Sequence, residues 1–485
     1  MKFYDHQGLQ VPHDVPVASR RDFLLRGGAG FGALALSGLL DANPLKTSGN
    51  PLAAKQSHFA PTAKSCIFLF MEGGPSHLDL FDPKPLVKKL AGQSLPPSFK
   101  RPITAMGEAE SPILHLPRKW KQHGQSGLWV SDWLPRIAEC MDDIAVIRSC
   151  WTNGINHSGG VCQMNTGQPL AGRPSLGAWV SYGLGSENEN LPAFVVMTDT
   201  PAAPANGPRN WSAGFMPAMY QGVRLNSGAE PIRNLNLPKG TSPNQYHKQL
   251  EFLRRLNEQH LKTREHQTEL EARIRAYELA YRMQASAPEA VDLSRETAAT
   301  KKLYGFGNKD TEPFGRNCLM ARRLVERGVR FVQLYHGTKS KWDSHSKMEV
   351  NHGRQCRQSD QPVAALLKDL KARGLLDETL VVWGGEFGRT IYCQGKLSRQ
   401  RYGRDHHPNC FTYWLAGGGI RKGITYGETD EYSVNVAANP VHVHDLQATI
   451  LHQLGINHER LTYRYQGRYF RLTDVHGKVV KDILS

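Results

Sequence analysis

Acidic, imidazole and guanidinium side chains follow several strand-like stretches of this chain, and their types suit hydrolytic metal chemistry. The clearest stretch is 379–390, TLVVWGGEFGRT, in which a β-branched and aromatic run stops at two glycines and presents Glu386 and Arg389. Its composition and length predict a buried strand of an α/β sheet. Because ligands bind just past the carboxyl ends of strands in open α/β sheets, a carboxylate and an arginine are well placed there.

Further candidate ligands stand beside other strand-like runs. Carboxylates and imidazoles gathered from separate strand ends are what a hydrolytic metal site requires, and such donors suit zinc, manganese or calcium. A metal there would activate water or polarise an ester oxygen, and Arg389 could hold an oxyanion. Taken singly, each residue could equally cap a helix or shape a turn. The candidates are Glu72, Ser76, His77 and Asp79; His157 and Ser158; Asp343 and His345 in WDSH (342–345); and Asp405 and His406 in GRDHHP (403–408).

The elements that position these residues alternate between strand-like runs and helical segments closed by glycine. This alternation indicates a wound α/β sheet. We predict that Asp445 caps the last helix at its N-terminus. The predicted strands are 66–70, 144–148, 193–198, 329–334, 379–383 and 411–416, and the predicted helices are 318–327, 361–373 and 445–454.

Residues 243–287 form a charged stretch that begins with Ser242–Pro243, a pair typical of a helix start. Apolar residues recur within it at three- and four-residue spacings, which predicts an apolar stripe on one helix face. We therefore predict one or two long helices packed on the domain, as an insertion at about 243–300. A coiled coil that binds a partner is the alternative. The stripe comprises Leu250, Leu253, Leu256, Leu270, Ile274, Tyr277 and Tyr281.

The charge balance restricts the classes of partner. The 485-residue chain carries a formal net charge of +16, and the basic residues before Lys46 are balanced by acidic ones, so the excess belongs to the body of the protein. A basic surface favours anionic partners. No basic block interleaved with aromatic residues and no nucleic-acid-binding motif is visible, so nucleic acid is not expected. The eight cysteines contain no CxxC pair and are too sparse for a disulfide scaffold. Buried free thiols are expected.

The first 45 residues have the pattern of an export signal. A twin-arginine motif, SRRDFLL (19–25), precedes an apolar run at 27–40 that is too short for a standard transmembrane helix. We expect export by the twin-arginine translocase to the periplasm or the medium. No clear small-x-small cleavage site follows, so retention by an uncleaved N-terminal segment stays open.

Seven motifs together resemble a known family. They are MEGGPSHLDLFDPKP, ARRLVERGVRFVQ, WDSH, GLLDETLVVWGGEFGRT, GRDHHP, LAGGGI and HDLQATILHQLGI. With the export signal, they resemble a secreted bacterial family, domain-of-unknown-function family 1501, over about residues 60–485. That domain in turn resembles the alkaline phosphatase and sulfatase superfamily. The resemblance implies an α/β, three-layer sandwich with a central, mostly parallel sheet.

The superfamily resemblance also implies site residues. Its members bind one or two divalent metals with Asp and His residues at strand ends, and they attack phosphate or sulfate esters with Ser, Thr or a modified Cys. No cysteine of this chain heads the CxPxR or CxAxR pattern of sulfatases, and Cys318 misses it by having Met320. By similarity, Glu386-Phe387-Gly388 takes the place of Asp-His-Gly, Glu72 that of the first-strand aspartate, Asp343 with His345 that of a ligand pair, and His157 that of the nucleophile.

Three functional interpretations follow. The first is an exported, metal-dependent hydrolase of sulfate or phosphate esters with an altered active site, acting on an anionic small molecule or polysaccharide. The second is a non-catalytic binding protein for anionic glycans on the same fold, and the third is an enzyme of another class, since fold does not fix function. In the first, Asp343, His345, Glu386 and His406 are ligands, Arg389 holds the anion, and His157 or Ser158 is the nucleophile or acid–base group.

Overall fold

The structure is a computed structural model of the whole chain. It describes residues 51–99, 105–106, 110–226, 231–232, 240–262, 288–394, 396–398 and 401–485. The predicted export signal therefore lies outside the described residues, as does the 263–287 part of the predicted helical insertion. Residues 52–485 form one compact unit.

The strands of this unit match the predicted runs closely. The predicted strands at 379–383 and 411–416 are confirmed, the second residue for residue. The predicted strand 329–334 lies two residues further on, at Phe331–His336. The strands are β1 Ser65–Met71, β2 Trp120–His123, β3 Leu128–Ser131, β4 Ile144–Trp151, β5 Phe194–Thr198, β6 Val223–Leu225, β7 Phe331–His336, β8 Thr379–Gly384, β9 Gly388–Arg389, β10 His406–His407, β11 Phe411–Ala416, β12 Ile424–Tyr426, β13 Glu428–Thr429, β14 Val436–Ala438, β15 Val441–His442, β16 Tyr463–Tyr465 and β17 Arg468–Phe470.

A nine-stranded sheet in the order β12-β4-β11-β8-β1-β7-β5-β6, with β15 also on β4, forms the centre of the unit. Its neighbouring strands are parallel except where β11 pairs with β8 and β4. Because β11 runs opposite to the parallel strands, the segment before β11 lies at the same edge of the sheet as the segments that follow those strands. Residues before β11 can therefore meet residues that follow the parallel strands.

The helices lie where the sequence predicts them, with starts that differ. The predicted packing of the apolar stripe is not borne out at Leu253 and Leu256, which are each 46% exposed. The helix predicted at 361–373 begins thirteen residues earlier, at Met348, and contains Pro362, which sequence reasoning places in the first turn. The last helix is capped by His442, so Asp445 lies at its third position and completes a capping box instead of being the cap. The helices are α1 His77–Leu80, α2 Pro85–Lys89, α3 His157–Thr166, α4 Leu176–Leu184, α5 Pro243–Lys262, α6 Ala298–Leu303, α7 Glu312–Glu326, α8 Met348–Ala372 and α9 Val443–Gln453.

Two apolar cores lie on opposite faces of the sheet. Alternate residues of β1 point to each face, so Ile67 and Leu69 pack in one core, and Phe68 and Phe70 in the other. Helices α7 and α8 cover the first face, and α4 and α9 cover the second. The predicted three-layer α/β sandwich with a mostly parallel sheet is therefore confirmed.

Two further sequence expectations concern thiols and membranes. All eight cysteines are free and buried, as predicted. Of the helices in the described ranges, none combines the length and apolarity that spanning a membrane requires.

Candidate metal centre

Four side chains meet at the edge of the sheet where the parallel strands end. We call them the open cluster: His157, Asp343, His345 and His406. Each offers one ligand atom, and these atoms all lie within 4.8 Å of one another. Segments far apart in the chain supply them, namely the start of α3 after β4, the loop after β7, and β10 before the reversed strand β11.

Helix α3 brings His157 to the cluster as its first residue. The side chain of Asn156 caps the helix by accepting a hydrogen bond from the backbone N–H of Gly159 at 2.9 Å. A small residue at Gly160 allows close packing, since a Cβ there would lie 3.2 Å from Cβ of Glu386. The helix therefore starts directly over the turn that follows β8.

The loop after β7 carries Asp343 and His345 and is held against the turn after β1. The backbone N–H of Trp342 donates to the carbonyl of Glu72 at 3.1 Å. Gly73 lies so close that a Cβ would be 2.4 Å from the backbone nitrogen of Asp343, and its φ of +118° also favours glycine. The glycine turn after β1 thus lets the loop that carries Asp343 and His345 pack directly against it.

The short ladder of β9 with β10 fixes His406. Its partner across the ladder is Arg389, so the turn after β8 and the segment before β11 are joined beside the cluster. His406 is 5% exposed, and its ring lies 4.4 Å from that of His157 and 4.9 Å from that of His345.

The three imidazoles share one hydrogen-bonding pattern. Nδ1–H of His157 donates to Glu386 Oε1 at 2.6 Å, and Nδ1–H of His406 donates to the carbonyl of Ile155 at 3.1 Å. Nδ1–H of His345 donates to the side-chain oxygen of Gln394. Each ring is therefore oriented by an oxygen acceptor with Nε2 turned into the cluster, the arrangement typical of metal-binding histidines.

The Nε2 atoms of the three histidines face the carboxylate of Asp343, and not all of them form a hydrogen bond with it. Nε2 of His157, His345 and His406 lies 3.0, 2.9 and 3.4 Å from an oxygen of Asp343. Nε2 of His157 and of His406 is buried without a well-formed hydrogen bond, and Oδ1 of Asp343 is held in an ion pair by the Arg389 guanidinium at 2.7 Å. A neutral imidazole whose Nδ1 proton is in use presents a lone pair at Nε2, and either a metal ion or a proton on Nε2 would offset the repulsion between that lone pair and the carboxylate.

These atoms fit a divalent metal ion. Imidazole nitrogens combined with one carboxylate suit zinc and related divalent ions, and calcium is disfavoured because it prefers a shell of oxygens. The orphaned buried atoms and the oriented rings are the features that such a site requires. The described residues thus contain a group that could hold a metal, with its identity open between zinc and manganese.

Burial and neighbouring opposite charges shift the pKa values of Asp343 and His157 in opposite directions, and the neighbouring charges have the larger effect. Burial opposes ionisation of Asp343, but the Arg389 guanidinium at 2.7 Å and the three imidazoles outweigh it and hold its pKa below the usual range. Burial also lowers the pKa of His157, yet the carboxylates of Asp343 and Glu386 raise it overall to about 9. His406 has a lowered pKa because it is buried.

Two predicted ligands support the cluster without joining it. Glu386 is fully buried, and its carboxylate accepts from His157 and from the backbone N–H of Gly73 at 2.9 Å. Glu72 accepts from the backbone N–H of Ala205 at 2.7 Å, and one of its oxygens is buried without a partner. Burial, with the nearby Glu386 carboxylate, raises the pKa of Glu72 to about 7.

Three other predicted ligands form hydrogen bonds or ion pairs with residues outside the open cluster. Asp79 forms a two-pronged ion pair with Arg404 at 2.9 and 3.1 Å. His77 Nε2 lies 2.9 Å from the hydroxyl of Ser433. The Asp405 carboxylate accepts backbone N–H groups of Met106 and of its neighbour His406. The structure therefore brings Asp343, His345 and His406 together and leaves Asp79, His77 and Asp405 out of the cluster.

The predicted catalytic residues have three different surroundings. Arg389 is fully buried and donates to the carbonyls of Gly73, Gly74 and Arg404 as well as to Asp343, so it braces the site and does not face a ligand. Ser158 is exposed, and its hydroxyl donates to Asn206 at 2.6 Å. His157 is the predicted catalytic residue that lies in the cluster.

Sequence reasoning missed Gln394 and Arg404. Gln394 lies near GRDHHP in the chain and pairs across a bridge with Gly403, but no local pattern marks it as the partner of His345. Arg404 lies inside GRDHHP, next to the predicted metal ligands Asp405 and His406. Its sequence signal is an arginine directly before an aspartate, which equally predicts an ion pair.

Comparisons with known proteins place the chain in a family. A search of curated proteins finds no significant match. Similar solved structures include a lipoteichoic acid synthase from Listeria monocytogenes, with 10% identity, 87% of this chain and 78% of that chain covered, and a TM-score of 0.38. An alkaline phosphatase from the Antarctic bacterium TAB5 shows 10% identity, with 82% and 100% covered and a TM-score of 0.36.

A protein of the alkaline phosphatase superfamily from Vibrio parahaemolyticus shows 11% identity, with 88% and 76% covered and a TM-score of 0.35. Similarity at this level supports no inference about the activity of this chain. A family model described as a protein of unknown function (DUF1501) matches residues 63–484. Since this match spans most of the chain, the protein belongs to the DUF1501 family, as the sequence motifs predicted.

Proposed function

We propose that this protein is a metal-dependent hydrolase of sulfate or phosphate esters with an altered active site. The observation that carries the proposal is the open cluster, in which three imidazoles turn Nε2 toward one carboxylate while each Nδ1 is bonded to an oxygen. Such a constellation at the carboxyl edge of a parallel sheet is a place where ligands bind in α/β proteins.

Asp343, His345 and His406 would hold the ion. A divalent metal bound there would polarise an ester oxygen of the substrate and offset its developing charge. Catalytic sites of this kind use three protein ligands and keep one position for substrate or water. Arg389 holds the Asp343 carboxylate from behind at 2.7 Å, so that the acid stays ionised and oriented.

His157 would serve as the acid–base group. Its Nδ1 faces the carboxylate of Glu386, whereas Nδ1 of His345 and of His406 faces a neutral amide or carbonyl oxygen. A carboxylate behind an imidazole stabilises the protonated ring and fixes the nitrogen that exchanges the proton. Nε2 of His157 points into the cluster, where it could give a proton to the leaving oxygen of an ester.

Metal analysis of the full-length protein tests the site. We expect about one equivalent of zinc or manganese in the wild type and its loss in His345→Ala and His406→Ala. His77→Ala is a control, because its imidazole lies outside the open cluster. Retention of stoichiometric metal in both cluster variants would overturn the assignment of these ligands.

An ester screen tests the reaction. We expect the metal-loaded protein to hydrolyse an aryl sulfate or an aryl phosphate, and His157→Ala to keep the metal but lose at least about 100-fold in kcat. Metal loss in His157→Ala would instead make this residue a fourth ligand. A metal-free protein that hydrolyses neither ester but binds sulfated glycans would support the alternative, a non-catalytic binding protein for anionic glycans.

We also propose export by the twin-arginine route, on the basis of the motif at 19–25. The test compares the wild type with Arg20→Lys/Arg21→Lys in a host that has the translocase. We expect the wild type in the periplasm or medium and the variant in the cytoplasm. Equal distribution of the two proteins would exclude this route.

A further inference from the structure

The hairpin of β16 and β17 has one face packed on the protein and one face open to solvent. Residues directly opposite each other in an antiparallel pair point to the same side, and successive residues alternate between the sides. The hairpin turns at Gln466 and Gly467, both with positive φ, as tight two-residue turns require. The pairs are Tyr463–Phe470 and Tyr465–Arg468 on the packed face, and Arg464–Tyr469 on the open face.

The packed face holds the hairpin in one orientation. The ring of Phe215 stacks on that of Tyr465 with centroids 4.9 Å apart and planes 13° apart, and it also lies 4.9 Å from the ring of Phe470. The guanidinium of Arg468 lies 4.8 Å from the ring centre of Phe470 and pairs with Asp474 at 2.7 Å. These contacts preorganise the open face, which lowers the entropy cost of binding there.

The open face pairs an aromatic ring with a cation. Tyr469 is 64% exposed, and the guanidinium of Arg464 lies 5.9 Å from its ring centre. In the part of the chain that the structure describes, Arg464 makes no ion pair, whereas Arg468 and Arg471 pair with Asp474 and Glu459. Arg464 therefore keeps its charge and its two-pronged donor geometry available for an anion.

We propose that this face binds an acidic polysaccharide. The flat ring of Tyr469 would take the apolar face of a sugar, and the adjacent guanidinium of Arg464 would take its sulfate or carboxylate group. Binding of single-stranded nucleic acid relies on successive rings that stack successive bases. The open face offers one ring beside one cation, which fits one charged sugar unit. The net charge of +16 would draw a polyanion toward the protein.

The test measures binding of the full-length protein to heparin and to desulfated heparin at fixed ionic strength. The variant is Arg464→Gln/Tyr469→Ala. A matched control, Phe252→Ala/Arg255→Gln, removes one exposed ring and one exposed cation from α5. We expect the hairpin variant to lose about tenfold in heparin affinity and the control less than about twofold, because the control removes the same charge and ring without the paired geometry. Desulfated heparin keeps its carboxylates but carries fewer charges, so it should bind the wild type more weakly than heparin and lose affinity in the same hairpin variant.

Three results would overturn the proposal. They are an equal loss in both variants, no loss in the hairpin variant, and tighter binding of single-stranded RNA or polyglutamate than of heparin with the same dependence on the hairpin. Equal melting temperatures of the variants show that the fold is intact. If the double variant unfolds, Tyr469→Ala carries the same test, since its ring is largely exposed. Metal-free protein should bind heparin equally, so failure here and failure of the metal centre are distinguishable.

Discussion

Two groups of charged and imidazole residues lie beside the same turns, and they differ in how their polar atoms are used. In the open cluster, Nε2 of His157 and of His406 is buried without a well-formed hydrogen bond. In a second group, which we call the Arg404 group, Arg404 pairs with Asp79 and also donates to three backbone carbonyls. Residue types alone made Asp79 a candidate ligand alongside the residues of the open cluster.

The comparison shows that a binding site differs from a structural ion pair in whether its buried polar atoms are already hydrogen-bonded within the protein. A buried ion pair needs good geometry and further hydrogen bonds to offset the cost of removing charge from water, and Arg404 has both. In the open cluster, the inward nitrogens of His157 and His406 face a carboxylate without a well-formed hydrogen bond, and a bound cation would satisfy them. We therefore expect changes in the Arg404 group to affect stability and changes in the open cluster to affect metal binding and catalysis.

The largest expected effect is the loss of Arg404. In Arg404→Ala, the Asp79 carboxylate stays buried without its partner, so the free energy of unfolding should fall by about 3–5 kcal/mol. Urea denaturation followed by circular dichroism measures it. The double variant Asp79→Leu/Arg404→Met should lose less, because it leaves no buried charge unpaired. A loss below about 1 kcal/mol in the single variant would show that this pair is not a structural brace.

Acid should destabilise the protein because protonation of the buried His352 ring would break the hydrogen bond that its Nε2 accepts. His352 is fully buried and accepts a hydrogen bond from the backbone N–H of Ser76 at 3.1 Å, and burial lowers its pKa to about 3. The folded protein resists protonation, so stability is lost as pH falls below the ordinary histidine value. Between pH 7 and pH 4.5 this group should cost about 2–3 kcal/mol.

The measurement is the free energy of unfolding at pH 7 and at pH 4.5 for the wild type and for His352→Gln. The variant should be less stable at pH 7, and its stability should fall less steeply toward pH 4.5. An unchanged difference between the two pH values would mean that His352 does not contribute to acid sensitivity.

Glu386→Gln should have a moderate effect, confined to catalysis. The amide can still accept from Gly73 and His157, but it no longer stabilises a protonated imidazole. We expect kcat to fall about 10- to 100-fold with metal content and KM little changed. Gln394→Leu is the contrasting variant, because it removes the acceptor that orients His345 and should lower metal affinity about 10- to 100-fold. Metal loss in Glu386→Gln would show instead that His157 is a ligand.

The sequence predicted much of the fold and part of the site, for local reasons. The run at 411–416 is apolar and ends at three glycines, so its strand can be read from composition, and Asp343, His345 and His406 are predicted ligands because they adjoin such runs. The sequence does not predict which carboxylates and imidazoles find hydrogen-bond or ion-pair partners within the folded protein. Asp79 and Arg404 are 325 residues apart, and only the folded sheet brings them together. The start of α8 was missed because Pro362 resembles a first-turn proline.

The smallest expected effect concerns Ser158, which sequence reasoning offered with His157 as a nucleophile. Its hydroxyl donates to Asn206 on the exposed side of α3, whereas the adjacent His157 ring enters the open cluster. Ser158→Ala should therefore change kcat/KM by less than about twofold, since it removes one exposed hydrogen bond and no contact with the cluster. His157→Ala in the same assay is the matched comparison. A loss of 100-fold or more in Ser158→Ala would place the reacting atoms on the Asn206 side of the helix and separate catalysis from the open cluster.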